Sequence, residues 1–282
     1  MLTTGALILI VASKVVLGWD YRQAVISQSP IYLLNMSESS VDDRYYGCKE
    51  KMADLVKTKY LSEEITANIS GFGTAWMTSE GKIPEPEENL NRNHLIAISV
   101  YTGRRVYNQF NQDVRSGKLK YKNLKYAWYS LHFLLTEAIQ ILKKTQEGCK
   151  LTYRGTSVKF NETVLHKEIR FGFFASSSLL IEEAVVFGSE SCFEIETCHG
   201  AAVEIYSEYS DEKEVLIPPY ETFKVTEIKK DDWCETVFVL ESSGIRSDLN
   251  CAVASAESQI YPRCLSLWLT SFYILIHFSF LY

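Results

Sequence analysis

The chain has 282 residues, 46% of them hydrophobic, and its 29 Lys and Arg stand against 35 Asp and Glu for a formal net charge of −6. A mildly acidic balance disfavours nucleic acid as a partner, and the apolar content is that of a folded chain, not a disordered one. With two apolar ends set aside, roughly 235 residues remain, enough for one well-cored domain.

Gly5 to Leu17 is an apolar run broken by Ser13 and Lys14 and followed by Gly18. It is shorter than the roughly 20 residues a membrane span needs, and it reads as a secretory signal peptide over residues 1–18. Sequons at Asn35, Asn68 and Asn161 agree with passage through the secretory pathway. Leu95 to Val114 reads as one helix closed by Ser116-Gly117. Leu124, Trp128, Leu131, Leu135, Ala138 and Leu142 then recur at alternating spacings of four and three. That stripe is the core face of a second helix, with Gly148 as its left-handed cap.

After Cys149 the texture changes to short apolar runs, at 151–154, 169–174, 192–197, 203–206, 214–217, 223–228 and 233–240, with a short helix expected over Leu179 to Phe187. Helices first and strands second define an α+β fold. Gly71-Phe72-Gly73 lacks a third glycine and opens no β-α-β unit, so the usual dinucleotide-binding fold is excluded.

At the far end, Cys264 to Tyr282 is apolar and aromatic, carries no charge apart from His277, and has no Lys or Arg beyond it. The small residues Ala252-Val253-Ala254-Ser255-Ala256 and the polar spacer Glu257 to Arg263 precede it. This is the pattern of a GPI-anchor signal, attached near Ala254, which leaves residues 19–254 as an ectodomain and removes 255–282; the rival is a retained membrane helix. Of seven cysteines, Cys264 falls in that tail, and the other six can pair completely, in any of fifteen ways. No Cys-x-x-Cys occurs and the histidines are scattered, so no metal is expected.

The most informative stretch is Glu212-Lys213-Glu214, running into Val215-Leu216-Ile217-Pro218-Pro219. On an extended backbone, two carboxylates separated by one residue face the same side. Alone, the triplet reads equally as a solvated charged edge. Upstream, Tyr153-Arg154-Gly155 and Phe174-Ala175-Ser176-Ser177-Ser178 each end an apolar, strand-like segment. An arginine, a serine cluster and a Glu-x-Glu in that order resemble the R-S-ExE signature of the arginine-specific ecto-mono-ADP-ribosyltransferases, and the resemblance runs from about Asp42 to Cys251.

The resemblance implies a helical N-terminal half followed by a split antiparallel β core that grips NAD in a cleft. It implies an NAD(P)–protein-arginine ADP-ribosyltransferase, with NAD as co-substrate and nicotinamide released. Its partners would be arginine-bearing extracellular or lumenal proteins, met from a GPI anchor on the outer face of the plasma membrane. It also suggests the pairs Cys149–Cys198 and Cys48–Cys251, which leaves Cys192 for Cys234.

Residue by residue, the resemblance makes Arg154, Ser176, Glu212 and Glu214 catalytic, and Tyr153, Arg154, Gly155, Ser176, Ser178 and Phe187 NAD-binding. Glu214 would hold the ribose and counter the positive charge left when nicotinamide departs, as carboxylates do in glycoside hydrolysis. Glu212 would orient the acceptor guanidinium. Arg154 would offer its planar donor fork to the pyrophosphate or a ribose, Ser176 would bond to Glu214 or the ribose, and Ser178 would brace the site. Ser177 stands where the family often has Thr. Phe187 is either a stacking partner or a core residue, and Tyr209 either an acceptor contact or a loop aromatic. Two close carboxylates repel, which raises the pKa of one of them. The rival functions are NAD hydrolysis and an inactive binding protein on the same fold.

Overall fold

The computed structural model describes residues 30–86, 89–103 and 105–257. The expected signal peptide and the hydrophobic tail lie outside them. No helix among the described residues is long and apolar enough to cross a membrane.

After a short strand, β1 (Ile31–Tyr32), the first half is helical. α1 (Lys49–Leu55) runs through a π-helical turn over Val56–Tyr60 into α2 (Leu61–Ala67), followed by α3 (Phe72–Glu80), α4 (Arg92–Thr102), α5 (Tyr107–Ser116), α6 (Lys118–Lys122) and α7 (Tyr129–Thr145). The single helix expected over 95–114 is therefore two. α4 opens with a capping box, in which Asn91 and His94 each accept the other's backbone N–H. It is buried on every side from His94 to Tyr101 and ends where Gly103 turns extended (φ −67°, ψ 152°). α5 is amphipathic and buries only Phe110, Asn111 and Val114. The change from a helix buried all round to one buried on a single face falls at this break.

The second predicted helix is shortened in the same way. Leu124 adopts a left-handed backbone (φ 56°), and α7 starts only after Trp128, whose side chain provides no cap. Instead the buried carboxylate of Glu64, from α2, accepts the Ser130 N–H at 3.1 and 3.2 Å, placing a carboxyl group at the positive end of the helix. Gly148 is left-handed as expected (φ 69°), but it lies past the C-cap Gln146 and turns the chain into the sheet.

The second half is β-rich: β2 (Lys150–Thr156), β3 (Lys159–Phe160), β4 (Glu168–Ile169), β5 (Ala175–Ser178), α8 (Ile181–Val185), β6 (Ser191–Thr197), β7 (Ala201–Ala202), β8 (Glu214–Ile217), β9 (Glu221–Lys230) and β10 (Thr236–Ile245). Eight of these strands form one sheet in the order β4-β9-β10-β6-β2-β5-β8-β7. The α+β class holds, and the core is antiparallel except for one parallel pair, β6 with β10, which makes the sheet mixed. Its split lies between β2 and β5, joined by the single pair Tyr153–Ser178.

Two predicted strands are absent. Only Ile169 of 169–174 belongs to a strand, because the next residue, Arg170, leaves the ladder to form a fully buried ion pair with Asp42. The run 203–206 is a turn following β7.

One apolar cluster joins the two halves, with Trp128, Tyr101, Phe110, Phe174 and Phe193 among its members. Disulfides Cys48–Cys251 and Cys149–Cys198, the two pairs the resemblance suggested, are present, and so is Cys192–Cys234, the pair left over from them. The first closes a 203-residue separation and ties the C-terminal segment to the start of α1.

Candidate active site

The parting of β2 and β5 opens a cavity of about 890 Å³, within the range of small-molecule and cofactor sites. Every residue singled out from the sequence lines it: Tyr153, Arg154, Gly155, Ser176, Ser178, Phe187, Tyr209, Glu212 and Glu214.

Arg154 and Gly155 come from β2. Gly155 is required by packing: a Cβ there would lie 2.2 Å from the Ala184 carbonyl oxygen and 2.4 Å from that of Gly188. The missing side chain lets the α8 segment sit directly on the strand. Gly188 returns the fit, with a left-handed backbone (φ 128°) and its own Cβ position 2.3 Å from the Ser157 nitrogen. Arg154 Nη1 donates to the Ser176 carbonyl at 2.5 Å, bridging the gap between the two parted strands. Tyr153 packs its ring edge-on against Trp233.

β5 and β8 pair so that Ser178 lies opposite Glu214 and Ser176 opposite Leu216. The Ser176 hydroxyl hydrogen-bonds to the Glu214 carboxylate, and the Ser207 hydroxyl donates to Glu214 Oε2 at 3.2 Å. Ser178 Oγ donates to the Glu212 carbonyl at 2.6 Å and accepts the Leu180 N–H at 3.0 Å. Ser177 turns away and donates to the Val215 carbonyl, so its hydroxyl is structural.

The shared-side geometry expected of the two glutamates has a different origin. Glu214 starts β8, but Glu212 ends a short 3-10 turn (Ser210–Glu212) and Lys213 between them is left-handed (φ 47°). A turn, not strand alternation, aims both at one cavity. It also separates their environments: Glu214 is 4% exposed, whereas Glu212 is only half-buried. Burial pushes the Glu214 carboxyl up to about 7, and the neighbouring Glu212 charge adds to the rise, while the Ser176 and Ser207 hydroxyls and Arg154 oppose it. The raised carboxyl of the pair is therefore Glu214.

Phe187 is not a core residue. It is 59% exposed at the cavity wall, where a planar ligand could stack on it. Missing from the sequence reading are Arg115 and Phe173. The Arg115 guanidinium lies 3.7 Å from the centre of the Phe173 ring and that of Arg154 5.6 Å from it, so two cations converge in the cavity. Arg115 sits in the last turn of an amphipathic helix, where a basic residue is ordinary, and nothing local marked it. Tyr101 was also missed. It is wholly buried, donates to the Phe174 carbonyl, and contacts Ser176 from behind.

Two guanidiniums facing one cavity suit a diphosphate, and a buried carboxylate beyond them suits a developing cation. This is the construction of a site that binds a dinucleotide and breaks it at the sugar. Residues 34–248 match the NAD:arginine ADP-ribosyltransferase family, and the chain belongs to that family. It is 32% identical to ecto-ADP-ribosyltransferase 5 of Bos taurus, over 83% of this chain and 78% of that protein. It is 33% identical to the GPI-linked NAD(P)(+)–arginine ADP-ribosyltransferase 1 of Mus musculus, with the same coverage. Among solved structures, the eukaryotic mono-ADP-ribosyltransferase ART2.2 superposes with a TM-score of 0.67 at 29% identity, covering 79% of this chain and 99% of that one. Mutants of ART2.2 have been crystallised with NADH and with NAD.

Proposed function

We propose that this chain transfers ADP-ribose from NAD to arginine side chains of proteins, with Arg154, Ser176, Glu212 and Glu214 as its catalytic residues. The observation that carries the reading is the arrangement around Glu214: a buried carboxylate held by two serine hydroxyls, beside Arg154, with Glu212 at the mouth of the same cavity. Arg154 and Arg115 would hold the diphosphate of NAD, and Phe187 would stack on one of its planar rings. As the bond between ribose C1′ and nicotinamide breaks, its electron pair leaves with nicotinamide, and Glu214 stabilises the positive charge on the sugar. Glu212, on the solvent side, accepts the donor fork of the incoming guanidinium and takes its proton as the new C1′–N bond forms.

Glu212→Gln tests this division of labour. Transfer to agmatine should be lost while NAD cleavage persists, because nicotinamide departs at Glu214 and water can still attack. The ratio of ADP-ribosyl-agmatine to free ADP-ribose is the quantity to measure. A loss of both products by the same factor would put Glu212 in the bond-breaking step.

The proposal extends to location: the outer face of the plasma membrane, on a GPI anchor; the mouse relative is named as GPI-linked. The described fold continues through residues 252–257, with Ala254 only 1% exposed and Glu257 accepting hydrogen bonds from Tyr60 and Lys59. That burial favours an attachment point beyond Ala254. Phosphatidylinositol-specific phospholipase C should release the protein from cells expressing the full chain. Retention, with a peptide containing Trp268 still detected, would mean a membrane helix.

A further inference from the structure

The turn that carries Glu212 is anchored at both ends. Its C-terminal end is held by β5 and the residue that follows it: Ser178 Oγ donates to the Glu212 carbonyl, and the Leu179 N–H donates to the Lys213 carbonyl at 3.2 Å. Its N-terminal end is tied to the helical half through Glu208. The Ser99 hydroxyl of α4 donates to Glu208 Oε1 at 2.6 Å, and Ser99 shares a 2.9 Å hydrogen bond with Ser79 of α3. The Glu208 N–H donates to Thr102 Oγ1 at 3.0 Å, and Lys82 Nζ reaches Oε2 at 3.3 Å. Ser79 and Ser99 are both buried, and each has its hydroxyl in this chain of bonds.

Glu208 sits between the two groups whose positions matter. Before it, Ser207 Oγ donates to Glu214; after it, the Tyr209 N–H donates back to Ser207 Oγ, and the Tyr209 carbonyl accepts the Glu212 N–H at 3.2 Å. We infer that Glu208 is a positioning residue: its carboxylate, gripped by Ser99 and Lys82, fixes the turn so that Ser207 meets Glu214 and Glu212 faces the acceptor. The inference rests on the functional reading above and adds a residue, outside the R-S-ExE set, that couples the helical half to acceptor choice.

Glu208→Ala should lower the ratio of transfer to hydrolysis about tenfold, the scale of one hydrogen bond to a charged group. It should also move the acid limb of the hydrolysis rate to higher pH, because Glu214 loses the Ser207 hydroxyl that favours its ionised form. Glu208→Gln keeps an oxygen for Ser99 and should retain most of the ratio. Ser99→Ala, made from the helical side, should lower the ratio in the same direction but by less, because Lys82 still holds Oε2, and the double variant should be no worse than Glu208→Ala, which already removes the Ser99 contact. An unchanged ratio and acid limb in an active Glu208→Ala enzyme would overturn the inference alone. If the wild type cleaves no NAD, the functional reading falls. The tether is then decided by tryptic cleavage after Lys213: it stands if Glu208→Ala accelerates the cut and fails if it does not.

Discussion

Glu214→Gln should lower NAD hydrolysis and transfer to agmatine together, by about a hundredfold to a thousandfold, the cost of about 2.7–4 kcal/mol for losing a preorganised charge at the reacting centre. The substitution keeps the shape of the side chain, so NAD binding should change little. The same carboxyl sets the pH dependence. Since burial places its pKa at about 7, activity should rise with pH through about 7 as the ionised form takes over.

The stability effect has the opposite sign. The folded-state pKa of Glu214 lies above its ordinary value, so folding favours the protonated form. That contribution is complete below pH about 4.5 and is lost as pH rises through about 7. Glutamine cannot ionise, so Glu214→Gln should be more stable than the wild type above pH 7, by about 3 kcal/mol for a carboxyl this deeply buried. Urea unfolding at pH 5 and pH 8 reads the difference. An equal offset at both values would show that Glu214 does not carry the buried charge.

The second large effect lies outside the R-S-ExE set, although Arg170 lines the same cavity. Asp42 and Arg170 form an ion pair at 2.5 Å with both side chains 0% exposed. Asp42 also accepts the backbone N–H groups of Asp248 and Leu249, while Arg170 donates to the carbonyls of Met36, Ser37 and Arg246. One ion pair thus pins three chain segments together. Asp42→Ala leaves a buried guanidinium uncompensated and should destabilise the fold by about 3–5 kcal/mol. A measured loss under about 1 kcal/mol would mean that water or a neighbouring carboxylate reaches Arg170.

The R-S-ExE residues were legible because each is marked within a few positions of itself: a glycine after Arg154, a hydroxyl run at Ser176 to Ser178, a charged triplet entering an apolar strand at Glu214. The α+β order was legible for the same reason, from periodicities that local sequence carries. What stayed hidden depends on distant partners or on single backbone choices. Ser99 and Glu208 meet across 109 positions, and Arg115 faces Phe173 from another element. The left-handed Lys213, which makes the Glu-x-Glu a turn and not a strand, has no mark in the sequence because lysine seldom adopts that conformation. The break between α4 and α5 at Gly103 was missed because an isolated glycine costs a helix only about 1 kcal/mol, and burial decided the outcome.

The central claim is that one cavity both cleaves NAD and hands the sugar to an arginine. Folded protein covering residues 19–257, incubated with NAD labelled in the ADP-ribose and with agmatine, tests it in one separation of products. ADP-ribosyl-agmatine appearing in step with nicotinamide is the result expected from Glu212 and Glu214 in their two roles. Nicotinamide accompanied only by free ADP-ribose, at saturating agmatine, would contradict it.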